Sequence, residues 1–220
     1  MVDLQGPEQL PLGGKASKLV VFLHGYGSNG DDLISLAPYW AKLLPDAAFV
    51  SPNAPFPCEM APVGYQWFSL ENRDPQSKLA GVKAAAPILD GYLDQQLARF
   101  GLSEKDLALV GFSQGTMMSL HVAPRRKAAL AGVVGYSGAL IGAQLLASEV
   151  LAKPPVLLVH GMADQVVPFE AMAQAAASLK AAGIDVATEA RPGLPHSIDE
   201  AGLQKGGAFL RQHFGALTAS

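Results

Sequence analysis

Leu107-Ala108-Leu109-Val110 is a short, wholly apolar run, and Gly111-Phe112-Ser113-Gln114-Gly115 follows it directly. Unbroken apolarity over so short a stretch marks a strand buried on both faces. From Gln114 to Val122 the chain is apolar nearly all round, as a buried helix would be. A strand that turns through Gly-x-Ser-x-Gly into a helix has the general form of a nucleophile elbow: a tight turn holds the serine clear, and small neighbours avoid clashes. The N-terminus of the following helix favours negative charge near that serine.

Working outward, similar apolar runs recur at Leu19-Val20-Val21-Phe22-Leu23, Ala47-Ala48-Phe49-Val50, Gly132-Val133-Val134-Gly135-Tyr136 and Val156-Leu157-Leu158-Val159, with a further strand over Asp185 to Ala190. Helical patterns lie between them. Val82, Ala86, Leu89, Leu93, Leu97 and Phe100 step by three and four along one face, with Pro87 expected to kink that helix or cut its first turn. Pro168 to Ala182 and Asp199 to His213 complete the set. Strands alternating with helices predict an α/β architecture, a mostly parallel sheet covered on both faces. Ligands of such sheets gather at the carboxyl ends of the strands.

The composition agrees with a large core. Of 220 residues, 50% are apolar and 16% charged, and no repeat or low-complexity linker divides the chain, so residues 1–220 are read as one domain. The stretch from Ala128 to Ser148 carries no charge, yet Gly132, Gly135, Gly138 and Gly142 interrupt it, and strand, turn and helix start fit it better than a membrane span. Met1 to Lys18 has no basic segment followed by an apolar run, so no signal peptide is expected. The single cysteine, Cys58, excludes an intrachain disulfide framework and fits a cytoplasmic location. A net charge of −3 leaves no field to attract phosphates, and nucleic acid is not an expected partner.

Serine is a poor nucleophile at neutral pH and needs a histidine base, which in turn needs a carboxylate. In this kind of sheet the chain order is Ser, then Asp or Glu, then His. Asp164 stands in a loop after a buried strand, within His160-Gly161-Met162-Ala163-Asp164-Gln165-Val166-Val167-Pro168. Of the two histidines that follow, His196 occupies the turn-rich loop Arg191-Pro192-Gly193-Leu194-Pro195-His196-Ser197, whereas His213 sits near the end of a terminal helix. The catalytic expectation is therefore Ser113, Asp164 and His196, with His24, His121 and His160 structural. Backbone N–H groups of Gln114 and Tyr26 are the expected oxyanion donors. Gly25-Tyr26-Gly27-Ser28-Asn29-Gly30 also spells Gly-x-Gly-x-x-Gly, but Ser51-Pro52-Asn53 stands where a dinucleotide site wants an acidic residue, and Asp31-Asp32 would repel a pyrophosphate. There is no His-Glu-x-x-His and no thiolate pair, so neither metal nor cofactor is expected.

These motifs together resemble the carboxylesterase and acyl-protein thioesterase (phospholipase/carboxylesterase) family of the α/β-hydrolase fold. The resemblance runs nearly end to end, through Val21-Phe22-Leu23-His24-Gly25-Tyr26-Gly27, Pro52-Asn53-Ala54-Pro55, Gln66-Trp67-Phe68, the serine elbow, His160-Gly161 with Asp164 and Val167-Pro168, and His196-Ser197-Ile198. It implies the Ser113, Asp164, His196 triad, oxyanion amides from Tyr26 and Gln114, and cofactor-free hydrolysis of carboxylic esters or thioesters with small or medium acyl groups. Ser28, Thr116 and Ser69 depart from residues common in relatives, the first and third beside the substrate loop.

Pro52 to Pro75, rich in proline and aromatic residues, reads as a loop or small cap over the site. Phe56, Met60, Tyr65, Trp67 and Phe68 are expected either to wall the acyl chain, with Trp67 and Phe68 the named substrate contacts, or to pack as a satellite cluster on the core, and Cys58 in the same segment has no basic neighbour to activate it. Alternatives are a lysophospholipase, a protein-depalmitoylating thioesterase, and a non-catalytic ligand binder on the same fold. An apolar surface beside the cap is compatible with a homodimer.

Overall fold

A computed structural model describes residues 3–11 and 13–216; positions 1, 2, 12 and 217–220 of the expected single domain lie outside the described residues. Its strands are β1 (Glu8–Gln9), β2 (Lys18–Leu23), β3 (Ala47–Val50), β4 (Phe56–Pro57), β5 (Tyr65–Gln66), β6 (Leu107–Phe112), β7 (Gly132–Tyr136), β8 (Val156–Gly161) and β9 (Val186–Arg191). Its helices are α1 (Gly30–Ile34), α2 (Ala37–Ala41), α3 (Pro75–Phe100), α4 (Gln114–Val122), α5 (Ala143–Glu149), α6 (Glu170–Ala181) and α7 (Glu200–Ala216). The main sheet has the order β1-β3-β2-β6-β7-β8-β9, parallel throughout except for the edge strand β1.

Alternate residues of each apolar run serve opposite faces. Leu19, Val21, Leu23, Leu107, Leu109, Val133 and Leu158 join the core formed with α3, α4, α5 and α6. Val20, Phe22, Ala108, Val110, Val134 and Val159 face the other core, with Trp40 of α2 and Leu203, Leu210 and Phe214 of α7. This two-faced burial is why the strands carry no polar alternation. The uncharged stretch from Ala128 supplies β7 and the start of α5, and no described helix is long and apolar enough to cross a membrane.

Pro87 does not cut the helix: α3 is continuous from Pro75 to Phe100. Pro87 lies on the solvent face, while Val82, Ala85, Leu89, Leu93 and Leu97 on both sides of it are buried. An interior proline costs about 3 kcal/mol, which burial of several aliphatic side chains at about 1.5–3 kcal/mol each outweighs. The true start is earlier than the periodicity indicated, at Pro75, where Asp74 caps the Gln76 and Ser77 amides. The preceding segment, 52–74, holds only the two-residue pair β4–β5.

Candidate active site

β6 delivers Ser113 into a sharp turn with φ 55° and ψ −113°. A non-glycine residue there is strained, at about 1–3 kcal/mol, and persists only where its surroundings fix it. They do so here: the Ser113 amide donates to Tyr136 O at 2.9 Å and its carbonyl accepts from the Met117 amide at 3.2 Å. Thr116 Oγ1 lies 2.8 Å from both Gly111 O and Tyr136 O, tying the elbow to β7. Gly115 is obligatory, since a Cβ would lie 1.8 Å from Leu23 O on β2.

Asp164 follows β8, and its carboxylate is fully used. Oδ1 accepts the Val166 and Val167 amides at 2.8 and 2.9 Å, and Oδ2 lies 2.7 Å from His196 Nδ1. Burial would raise its pKa, but the hydrogen bonds from His196 and the two amides prevail and hold it below the ordinary carboxylate value. The loop after β9 reaches Asp164 because it crosses the end of β8 at contact distance: a Cβ on Gly161 would stand 2.2 Å from Leu194 O. The Ala163 amide donates to that same carbonyl at 3.0 Å. The Phe112 ring packs on the His196 imidazole with centroids 4.8 Å apart.

Ser113 and His196 line one cavity of about 400 Å³, together with Tyr26 and Gln114. Among the described residues, neither the Tyr26 nor the Gln114 backbone N–H has a protein acceptor. The Gln114 side chain is buried instead as a latch, accepting from the Trp67 amide at 2.8 Å and donating to Phe68 O at 2.8 Å. His24 braces the same region: Nδ1 donates to Gly25 O at 2.7 Å, leaving Nε2 to accept from the Ala54 amide at 2.9 Å. Burial lowers its pKa and favours this neutral form. His160 is buried, with Nε2 3.0 Å from Val167 O. His121 is buried within α4, and His213 packs on Phe209 in α7.

The cavity's apolar lining differs from the expected acyl wall, and Trp67 and Phe68 take the core position instead. Trp67 and Phe68 are 0% and 2% exposed, belong to the core, and do not line the cavity. The Trp67 indole is turned inward to donate to His24 O at 3.1 Å, and the Gln114 latch fixes both residues' backbone. Met60 and Phe56 point outward, Tyr65 packs against the core, and Cys58 is buried rather than exposed. Leu70, Met117, Ile141, Val166 and Val167 form the apolar lining. Met117 had a signal in the sequence, four residues beyond Ser113 on a helix and therefore on the same side. Glu59 had none. Its Oε1 accepts from Tyr26 Oη, the Leu70 amide and the Glu71 amide at 3.0, 2.7 and 3.1 Å, and its Oε2 from Gln66 Nε2 at 3.1 Å.

Comparison with known proteins gives the family and the fold. A family model described as Phospholipase/Carboxylesterase matches residues 11–214. Acyl-protein thioesterase 1 of Gibberella zeae is 28% identical, over 94% of each chain. Esterase YpfH of Escherichia coli is 29% identical, over 86% of this chain and 80% of its own. Among solved structures, esterase PE8 superposes with a TM-score of 0.93 at 43% identity, covering 96% of this chain and 99% of its own.

Proposed function

The chain belongs to the phospholipase/carboxylesterase family of α/β-hydrolases, and on that premise we propose that it hydrolyses carboxylic esters and thioesters through Ser113, His196 and Asp164. It is a carboxylesterase-type hydrolase. What carries the assignment of residues is one observation: Ser113 and His196 line the same cavity while His196 Nδ1 is held by an ionised, fully bonded Asp164.

With Nδ1–H committed to Asp164, the Nε2 lone pair is the free base. Ser113 Oγ attacks the acyl carbonyl as His196 Nε2 takes its proton, and Asp164 stabilises the imidazolium without taking a proton itself. The carbonyl oxygen becomes an oxyanion, which the free Tyr26 and Gln114 amides receive. One such donor is worth about 3 kcal/mol of barrier. His196 then protonates the leaving alcohol or thiol, and water, deprotonated by the same base, releases the acid from the acyl-enzyme. A cavity of about 400 Å³ with an aliphatic lining suits small or medium acyl groups.

A fluorophosphonate probe on the folded protein, beside p-nitrophenyl esters from acetate to palmitate and a lysophospholipid, tests the reading. An adduct on Ser113 and loss of turnover in Ser113→Ala are expected. No adduct, with no ester turned over, would make the protein a ligand binder. The lone buried Cys58 fits the reducing cytoplasm. A homodimer would use the exposed Phe56, Met60 and Val63, and light scattering decides it.

A further inference from the structure

The cavity beside Ser113 is not apolar at every point. Arg73, just before α3, and Lys78, in its first turn, line it together with Asp32. None of the ion pairs among the described residues involves either cation. Two nearby acids accept hydrogen bonds elsewhere. Asp74 Oδ1 caps the Gln76 and Ser77 amides at 2.8 and 3.0 Å, and its Oδ2 accepts from Ser77 Oγ at 2.6 Å. Asp32 Oδ2 accepts from Ser28 Oγ at 2.7 Å.

Arg73 is exposed at the cavity mouth, and the charge the fold leaves without a reason is that of Lys78. Lys78 is half-buried, and a cation in the first turn of a helix opposes the helix dipole. Each side chain also keeps its rotamer freedom, with no partner to fix it. Two cations facing the cavity that receives the ester therefore have a ligand-side explanation. Their combined charge exceeds that of the single Asp32 by one, so the lining attracts an anion and a single carboxylate brings it to neutrality. The Arg73 guanidinium presents a planar fork that matches a carboxylate.

We infer that Arg73 and Lys78 select esters bearing a carboxylate remote from the scissile carbonyl, such as the half-esters of medium-chain dicarboxylic acids. The inference rests on the proposed esterase reading of this cavity and names a substrate class for it. The carboxylate belongs on either the acyl or the alcohol portion, and the substrates separate the two. p-Nitrophenyl hydrogen suberate against its methyl-capped diester probes the acyl side. 4-Acetoxybenzoate against its methyl ester probes the alcohol side.

The quantity read is the ratio of kcat/KM for the charged ester to that for its neutral partner, so that any general loss in a variant cancels. For the wild type this ratio is expected near tenfold at low salt in one arm, since two solvent-accessible charge pairs contribute at most about a factor of five each, and to shrink as salt screens them. In Arg73→Ala/Lys78→Ala it falls toward one, and in Arg73→Glu/Lys78→Glu it falls below one. A wild-type ratio of one or less in both arms, or a preference that survives both double variants, overturns the inference. Failure of the esterase reading looks different: the neutral esters would then not be turned over by the wild type.

Discussion

Asp164 Oδ2 and His196 Nδ1 stand 2.7 Å apart, and this one distance fixes which imidazole nitrogen faces the cavity. Two amides already occupy Oδ1, so the carboxylate cannot turn without losing them. In Asp164→Asn the retained oxygen must accept those amides, which aims the new NH2 at His196. Nδ1 would then accept, the ring proton would move to Nε2, and the base would be lost in the ground state. A fall in kcat of about 10⁴ is expected, together with a lower thermal midpoint because the buried carboxylate's charge-assisted bonds are weakened; stopped assays with p-nitrophenyl butyrate measure the first in the folded protein.

Glu59 joins three parts of the active-site rim. Its carboxylate holds Tyr26 through the hydroxyl, the Leu70 wall through the backbone, and Gln66 beneath both. Burial opposes ionisation, but the hydrogen bonds from Gln66, Leu70, Ser69 and Tyr26 outweigh it and bring its pKa down to about 2. Charge-assisted hydrogen bonds contribute about 1.5–3 kcal/mol each, though exposure discounts them here. Glu59→Ala should lower kcat/KM by about tenfold, corresponding to ~1.4 kcal/mol. Hydrogen exchange should quicken in residues 56–71 and not in the sheet; unchanged exchange there would deny Glu59 this role.

The sequence made β2, β3, β6, β7 and β8 legible because each is buried on both faces and so nearly free of polar residues, whereas β9, an edge strand with Thr188, Glu189 and Arg191, carries no such run. β1 and β4–β5 are two residues long and set by contacts with distant backbone, so no local period betrays them. The serine, aspartate and histidine could be read because the elbow and the strand ends carry spacing signals. The acyl wall could not. Aromaticity singled out Trp67 and Phe68, but a large ring beside a site is as useful in the core, and here hydrogen bonds to His24 O and the Gln114 side chain turn that strip inward. The cavity's lining comes from Leu70, from α4, from the 141 region and from the loop before α6, four places that only the folded chain brings together.

Gly115 tests the close approach of α4 to β2. A Cβ there would meet Leu23 O at 1.8 Å and Leu23 C at 2.4 Å, both backbone atoms of a central strand that cannot swing aside. Alanine favours a helix over glycine by about 1 kcal/mol, yet overpacking costs typically about 1–3 kcal/mol and more against rigid backbone. Gly115→Ala is therefore expected to lower the urea midpoint of unfolding despite the better propensity. The substitution also moves Ser113, so activity should fall even in the folded fraction. An unchanged midpoint would refute the contact.

His121 should make the protein sensitive to mild acid. Its side chain is buried in α4 and its Nδ1 has no hydrogen-bond partner. Burial and the Arg125 cation bring its pKa down to about 4 from an ordinary 6.5; Glu149 opposes this weakly and Lys83 adds to it. The sign follows from linkage. Above about pH 6.5 neither the folded nor the unfolded chain protonates this ring, and its neutral burial is undisturbed. Below 6.5 the unfolded chain binds the proton first, so stability declines until the pH nears 4, where the folded protein binds it too. Urea unfolding at pH 7, 5.5 and 4 should show this decline in the wild type and a shallower one in His121→Leu. The carboxylate of Asp164 contributes separately and later: its depressed folded pKa keeps its contribution whole above the ordinary carboxylate value of 3.8, and it is lost only as the pH falls below that. Parallel wild-type and His121→Leu curves between pH 6.5 and 4 would mean that the ring titrates alike in both states.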